Sequence, residues 1–260
     1  MDALEKILGL AIYSGYVKYE KPISILIVAK PESGKTEMLL KFSRNKKVLM
    51  LTDATAFGIR RDVVPSVRAK EINHIIIPDL LKPINRNRDT VNDFITILNS
   101  LIEEGIGDIT TYNEKQLSDD KKELAQCGLL TSITSEELMD KRRKWGKLGF
   151  LSRAIPISYS YSKESVEKIL GFISEQKYRN EKDYIIFNNL PSDKIDIKLD
   201  TEKAKYIINK AVVPSQAEGL YGFRTARQFI TLLKSNALMN NRTYVNEDDV
   251  KEIEKLLYWI

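Results

Sequence analysis

The first two-thirds of the chain alternates short, nearly continuous hydrophobic runs with amphipathic stretches. Five runs read as strands: Ile23–Val28, Val48–Thr52, His74–Ile77, Gly128–Ile133 and Ala154–Tyr161. The first four are almost wholly apolar, as strands covered on both faces of a parallel sheet are. The fifth alternates, with Ile155, Ile157, Tyr159 and Tyr161 on one face and Ser158 and Ser160 on the other. Helical spacing is carried by Val91, Phe94, Ile95, Leu98 and Ile102, with Asp89 or Thr90 as the expected cap. Leu4 to Val17 reads as an amphipathic helix.

After about residue 200 the pattern is helical throughout. Phe229, Leu232, Leu233 and Ala237 share a helix face. Asn246 is placed to cap a last helix, with Asp249 three residues on and Val250, Ile253, Leu256 and Leu257 facing inward. Tyr178 to Asp200 fits either a hairpin or an irregular connection. The alternation predicts an α/β core with a five-stranded parallel sheet between helices, then a small, mostly helical domain. The expected division is 1–162 for the core and 163–260 for the connection and helical domain.

One motif falls where that pattern gives it meaning. Ala29-Lys30-Pro31-Glu32-Ser33-Gly34-Lys35-Thr36 follows an apolar strand and precedes Glu37, Met38, Leu39, Leu40 and Phe42, which can form a helix. Strand, loop and helix in that order are the setting a phosphate-binding loop requires. Backbone N–H groups at the helix start point at phosphate oxygens. Lys35 supplies a positive charge to the β- and γ-phosphates, and Thr36 offers its hydroxyl to a magnesium ion. Gly34 lets the backbone approach closely. The loop residues expected to touch nucleotide are Pro31, Glu32, Ser33, Gly34, Lys35, Thr36 and Glu37. The departure is Ala29, where the full pattern has glycine.

Composition narrows the rest. Of 260 residues, 43% are hydrophobic and 30% charged, which fits a folded soluble protein rather than a disordered one. One cysteine, Cys127, and one histidine, His74, leave no disulfide framework and no His/Cys metal cluster. No apolar run is long enough to cross a bilayer, and the N-terminus has no signal-peptide pattern. The expectation is a cytoplasmic protein with no membrane partner. The net charge of +5 permits nucleic-acid binding and equally fits a mixed surface.

With these parts in order, the sequence resembles an AAA+ ATPase, closest in layout to the minichromosome-maintenance helicases and the MoxR-type ATPases. The resemblance covers about residues 1–162 and 200–260. It implies ATP and Mg2+ as cofactors, and a homo-oligomeric ring, with a hexamer as one option, that holds nucleotide between subunits. His74-Ile75-Ile76-Ile77-Pro78-Asp79-Leu80 looks like a Walker B strand, with Asp79 orienting the magnesium ion. The family's following glutamate is replaced by Leu80, so either Asp79 takes its place, or Glu32 or another group serves as base, or hydrolysis is slow.

Leu130-Thr131-Ser132-Ile133-Thr134 resembles a sensor 1 segment, with Thr131 preferred and Thr134 the alternative. Thr134 also suits a cap for a helix at Ser135-Glu136-Glu137. Leu151-Ser152-Arg153 resembles the family's arginine finger, Arg142 and Arg143 being rivals that read better as a solvated basic face. Gly222-Phe223-Arg224-Thr225-Ala226-Arg227 opens a lid helix, where Arg227, or Arg224 one turn earlier, resembles the sensor 2 arginine that contacts the γ-phosphate.

The resemblance also implies a DNA-touching hairpin in Ile102 to Tyr112, with Tyr112, Lys115, Lys121 and Lys122 as contacts, and an N-terminal linker whose Ile12, Tyr13 and Val17 lie near adenine. The function implied is ATP hydrolysis in a ring that acts on DNA. The alternatives are a remodeller of a protein partner, or a nucleotide-switched assembly protein with little turnover.

Overall fold

The computed structural model describes residues 2–107, 124–176, 183–217 and 219–259. In chain order the elements are α1 (Asp2–Ser14), β1 (Ile25–Ala29), α2 (Lys35–Leu40), β2 (Val48–Met50), α3 (Ala56–Gly58), α4 (Val64–Arg68), β3 (His74–Ile77), α5 (Leu81–Ile84), α6 (Arg88–Asn99), β4 (Gly128–Thr134), α7 (Ser135–Lys147), β5 (Ile155–Ser158), α8 (Lys163–Ser174), α9 (Thr201–Ala217), α10 (Phe223–Met239) and α11 (Glu247–Leu256). Single π-turns extend α3 into α4 and continue α6.

All five expected strands form, and every pairing is parallel. The strand order is β2-β3-β4-β1-β5, which puts β1 between β4 and β5. Parallel strands need crossovers, and helices on both faces supply them. Successive side chains alternate between those faces. Ile25, Ile27, Ile76 and Leu130 join a hydrophobic cluster with α1, α2 and the C-terminal helices. Leu26, Ile75, Ile77, Leu129 and Ile133 join a second cluster, with the α3–α4 region, α6 and Trp145 of α7. The result is a three-layer α/β core with a helical C-terminal region.

The division near residue 162 marks where strands stop, but the first cluster runs across it: Phe229, Leu232, Leu233 and Ile253 pack in the same core as Leu8, Met38 and Phe42. Helix α1 belongs to this layer. Ile12, Tyr13 and Val17 are fully buried there, so the adenine role expected of them gives way to core packing.

Local expectations meet the structure unevenly. Asn246 and Asp249 form a full capping box at α11. The cap of α6 is Asn87, which accepts from Thr90 N at 3.0 Å, rather than Asp89 or Thr90. Residues 183–200 form an irregular connection, not a hairpin. It is pinned by Asn45, whose amide donates to Ile185 O at 2.7 Å and accepts from Phe187 N at 2.8 Å. Phe187 then packs edge-on to Tyr13. Of the expected hairpin, Ile106 pairs with Ala125 as a single antiparallel bridge. Tyr112, Lys115, Lys121 and Lys122 lie outside the described residues.

Candidate functional site

The loop between β1 and α2 sits at the carboxyl ends of the strands, beside the end of β4, where Ala29 is registered with Thr134. Ligands of open α/β sheets bind outside this end. Two residues of the loop are left-handed, Glu32 at φ 59° and Gly34 at φ 77°. Left-handed residues within such a loop turn successive N–H groups toward one point, which makes an anion-binding concavity. Gly34 supports that conformation without strain. The Lys35 ammonium lies across the loop. It donates to Lys30 O at 2.7 Å, Ala29 O at 3.1 Å and Ser33 Oγ at 3.3 Å. Burial lowers its pKa, and the nearby Asp79 carboxylate opposes that shift. Pro31, Glu32, Thr36 and Glu37 are exposed at the mouth, while Ser33 is buried.

Two tyrosines just beyond β5 hold the loop. The hydroxyls of Tyr159 and Tyr161 both donate to Ser33 O, at 2.8 and 2.7 Å. Their rings meet edge-on, with centroids 5.8 Å apart. Burial raises the pKa of Tyr159, which keeps its hydroxyl a donor. The shared face of these tyrosines is visible in the sequence. Their common target is not.

Asp79 follows β3, and its carboxylate is the acidic group that acts electrostatically on Lys35. One of its oxygens also accepts from Leu81 N at 3.0 Å, so it starts the short helix α5 as well. Leu80 is fully buried in the second hydrophobic cluster. That position points into the core, and a carboxylate there could not face the loop. Thr36 and Asp79 are both oxygen donors beside the loop, the ligand chemistry that Mg2+ takes.

Thr131 is not at the mouth. It shares strand parity with Leu129 and Ile133, which pack on the face opposite α2, and its hydroxyl is committed to Ile77 O at 2.7 Å. Thr134 has the other parity and closes β4 beside Ala29. Its hydroxyl accepts from Glu137 N at 3.3 Å, the expected cap of α7. Thr134, not Thr131, is therefore the polar residue that ends β4 beside the loop.

Arg153 and Arg227 lie together at the other end of the sheet. Arg153 precedes β5, whose Ile155 is registered with Ile25 at the start of β1. A cleft there is lined by Glu20, Lys21, Ser24, Glu103, Arg153, Arg224, Arg227 and Gln228. Along β1, from Ile25 to Ala29, the strand alone spans about 13 Å at its usual rise. Neither arginine is near the loop between β1 and α2. Arg153 donates to Gly149 O at 2.6 Å and pairs with Glu104 at 2.5 Å. Gly149 has φ 71°, and a Cβ there would meet Arg153 Nη1 at 2.3 Å. Arg224 donates to Ser152 Oγ at 2.9 Å, and Gln228 to Arg153 O at 3.2 Å, so the start of α10 docks on this turn. Arg227 is exposed, and its guanidinium has no partner among the described residues. Arg142 and Arg143 are exposed on α7.

Among the described residues no helix is long and apolar enough to cross a membrane. No protein-family model and no curated protein matches this chain.

Proposed function

We propose that this chain is an ATP-binding ATPase of the AAA+ type whose site is divided between copies of itself. The single observation that carries this reading is the separation of the parts. The phosphate loop, Lys35 and Asp79 lie at one end of the sheet. Arg153, Arg224 and Arg227 line a cleft at the other. Cations that cannot reach their own loop can reach that of a neighbour in a head-to-tail oligomer, which closes as a ring if the rotation permits.

In this reading the loop N–H groups and Lys35 bind the phosphates and hold the γ-phosphate in line for attack. Thr36 and Asp79 would hold Mg2+, which supplies charge neutralisation on the β- and γ-oxygens. Asp79 is also the carboxylate that can accept a proton from the attacking water, because the Leu80 side chain is buried in the core. The neighbour's arginine stabilises charge on the transferring phosphoryl group. DNA is the preferred object of the work, supported by the net charge of +5 and the exposed Arg142, Arg143 and Lys147 of α7. Remodelling of a protein partner is the alternative. A nucleotide switch with slow turnover is favoured by one observation, that Asp79 already accepts from Leu81 N.

The test is steady-state ATP hydrolysis across protein concentrations, with and without single-stranded and duplex DNA. The reading expects a rate per subunit that rises with concentration and rises again with DNA. Tight ATP binding without turnover under any condition would select the switch. A rate per subunit independent of concentration would remove the divided site.

A further inference from the structure

Among the described residues, helix α8 lacks the cover that its sequence calls for. Val166, Ile169, Leu170 and Ile173 fall at i, i+3, i+4 and i+7, with Phe172 beside them, which is the apolar face of an amphipathic helix. None of its twelve residues is buried, and Leu170 is 59% exposed. Such a face on a soluble chain marks an interaction surface. A helix this short also depends on burial of that face for stability.

A second uncovered apolar group lies before the arginine cleft. Tyr221 and Phe223 stack nearly parallel, 5.4 Å between centroids, at 82% and 74% exposure, with Leu220 half exposed beside them. Arg224 follows at once. Each group borders one half of the divided site. Helix α8 leaves Tyr161, whose hydroxyl holds Ser33 of the phosphate loop, while Leu220–Phe223 leads into Arg224 and Arg227.

We propose that the apolar face of α8 is the docking surface for the Leu220–Phe223 segment of a second copy of this chain. The proposal rests on the divided-site reading and adds the contact that would set its register. When the arginines of one copy approach the loop of the next, the segment just before them is carried toward the helix just after that loop. Burying two aromatic rings against five aliphatic and aromatic side chains gives the interface an apolar centre of the kind that holds specific contacts. Glu164 and Glu167 are interleaved with Lys163 and Lys168 in the first two turns of α8, so this end of the helix is neutral and the contact rests on its apolar face. With equal numbers of lysines and glutamates there, α8 lacks the basic face that binds an anionic membrane surface.

The contact is tested with two single substitutions, Ile169→Cys and Tyr221→Cys. The native Cys127 is fully buried and does not compete. Under mild oxidation with ATP and Mg2+, mixing the two variants is expected to give a disulfide-linked dimer that neither gives alone. Leu170→Asp with Ile173→Asp changes only exposed positions, so ATP binding persists while the concentration for half-maximal assembly rises about tenfold or more. Wild-type assembly with no cross-link, and with the Asp variant assembling normally, overturns the docking contact and leaves the divided site standing. A chain that stays monomeric with ATP, or hydrolyses it at a rate independent of concentration, removes both. Loss of vesicle binding in the Asp variant with assembly unchanged would assign α8 to a membrane and overturn the proposal.

Discussion

Lys35 makes its bonds to the loop's own carbonyls, and phosphate oxygens would replace those weaker acceptors with charged ones. Charge-assisted hydrogen bonds contribute about 2 kcal/mol or more, so Lys35→Ala should weaken ATP binding by about 30-fold or more in a calorimetric titration. The fold should be unaffected. Tyr159→Phe with Tyr161→Phe removes both donors to Ser33 O while keeping the rings. At about 1 kcal/mol per neutral bond, that variant should lose up to about 30-fold in ATP affinity. The single histidine offers a test away from the loop. His74 is fully buried, with Nε2 at 3.2 Å from Ile23 O, and burial lowers its pKa from 6.5 to about 4. The unfolded chain takes up the proton first, so stability is whole above pH 6.5 and falls as the pH drops toward 4. The loss should approach about 3 kcal/mol once both states are protonated. Its imidazole resonances should stay on the neutral plateau down to pH 5 or so; a midpoint near 6.5 would contradict the buried placement.

At the level of elements, the strands and the strand–loop–helix turn after β1 were legible because their signals are local. Each buried strand is an apolar run, and the loop motif stands between β1 and α2. The α11 capping box was legible for the same reason. The partner of that box was not: Arg242 binds Asp249 through two nitrogens, at 2.5 and 2.8 Å, and Asp249 is fully buried. Removing one side of a buried pair leaves the other unpaired, so Asp249→Ala should cost about 3 kcal/mol or more in urea unfolding. In the unassembled chain, Leu170→Asp on α8 should change stability by no more than about 0.5 kcal/mol, because its side chain is exposed there. The connection at residues 183–200 was ambiguous because its conformation is set by Asn45, 140 positions before Ile185, a separation that no local pattern carries. Thr131 and Thr134 are told apart only by strand parity, which needs the register of β4 against β1 before it can be read.

At the level of the whole molecule, the sequence names the arginines but not the end of the sheet they occupy. That placement follows from the docking of α10 on the turn around Ser152 and Arg153, through Arg224 and Gln228. On the proposed function, that placement makes the arginines serve a neighbouring chain's nucleotide rather than their own. Arg153 is tied to Gly149 and Glu104, so Arg153→Ala should lower activity and melting temperature together. Arg227 has no such tie among the described residues, so Arg227→Ala should lower activity alone. The most direct measurement of the divided site is ATP hydrolysis by a mixture of Lys35→Ala and Arg227→Ala. Each variant alone lacks one half of every site. Random assembly of equal amounts should restore about a quarter of the sites, each with the loop of one variant and the arginine of the other. Activity regained on mixing is the predicted result. A mixture that assembles and binds ATP yet stays as inactive as its parts would contradict the account.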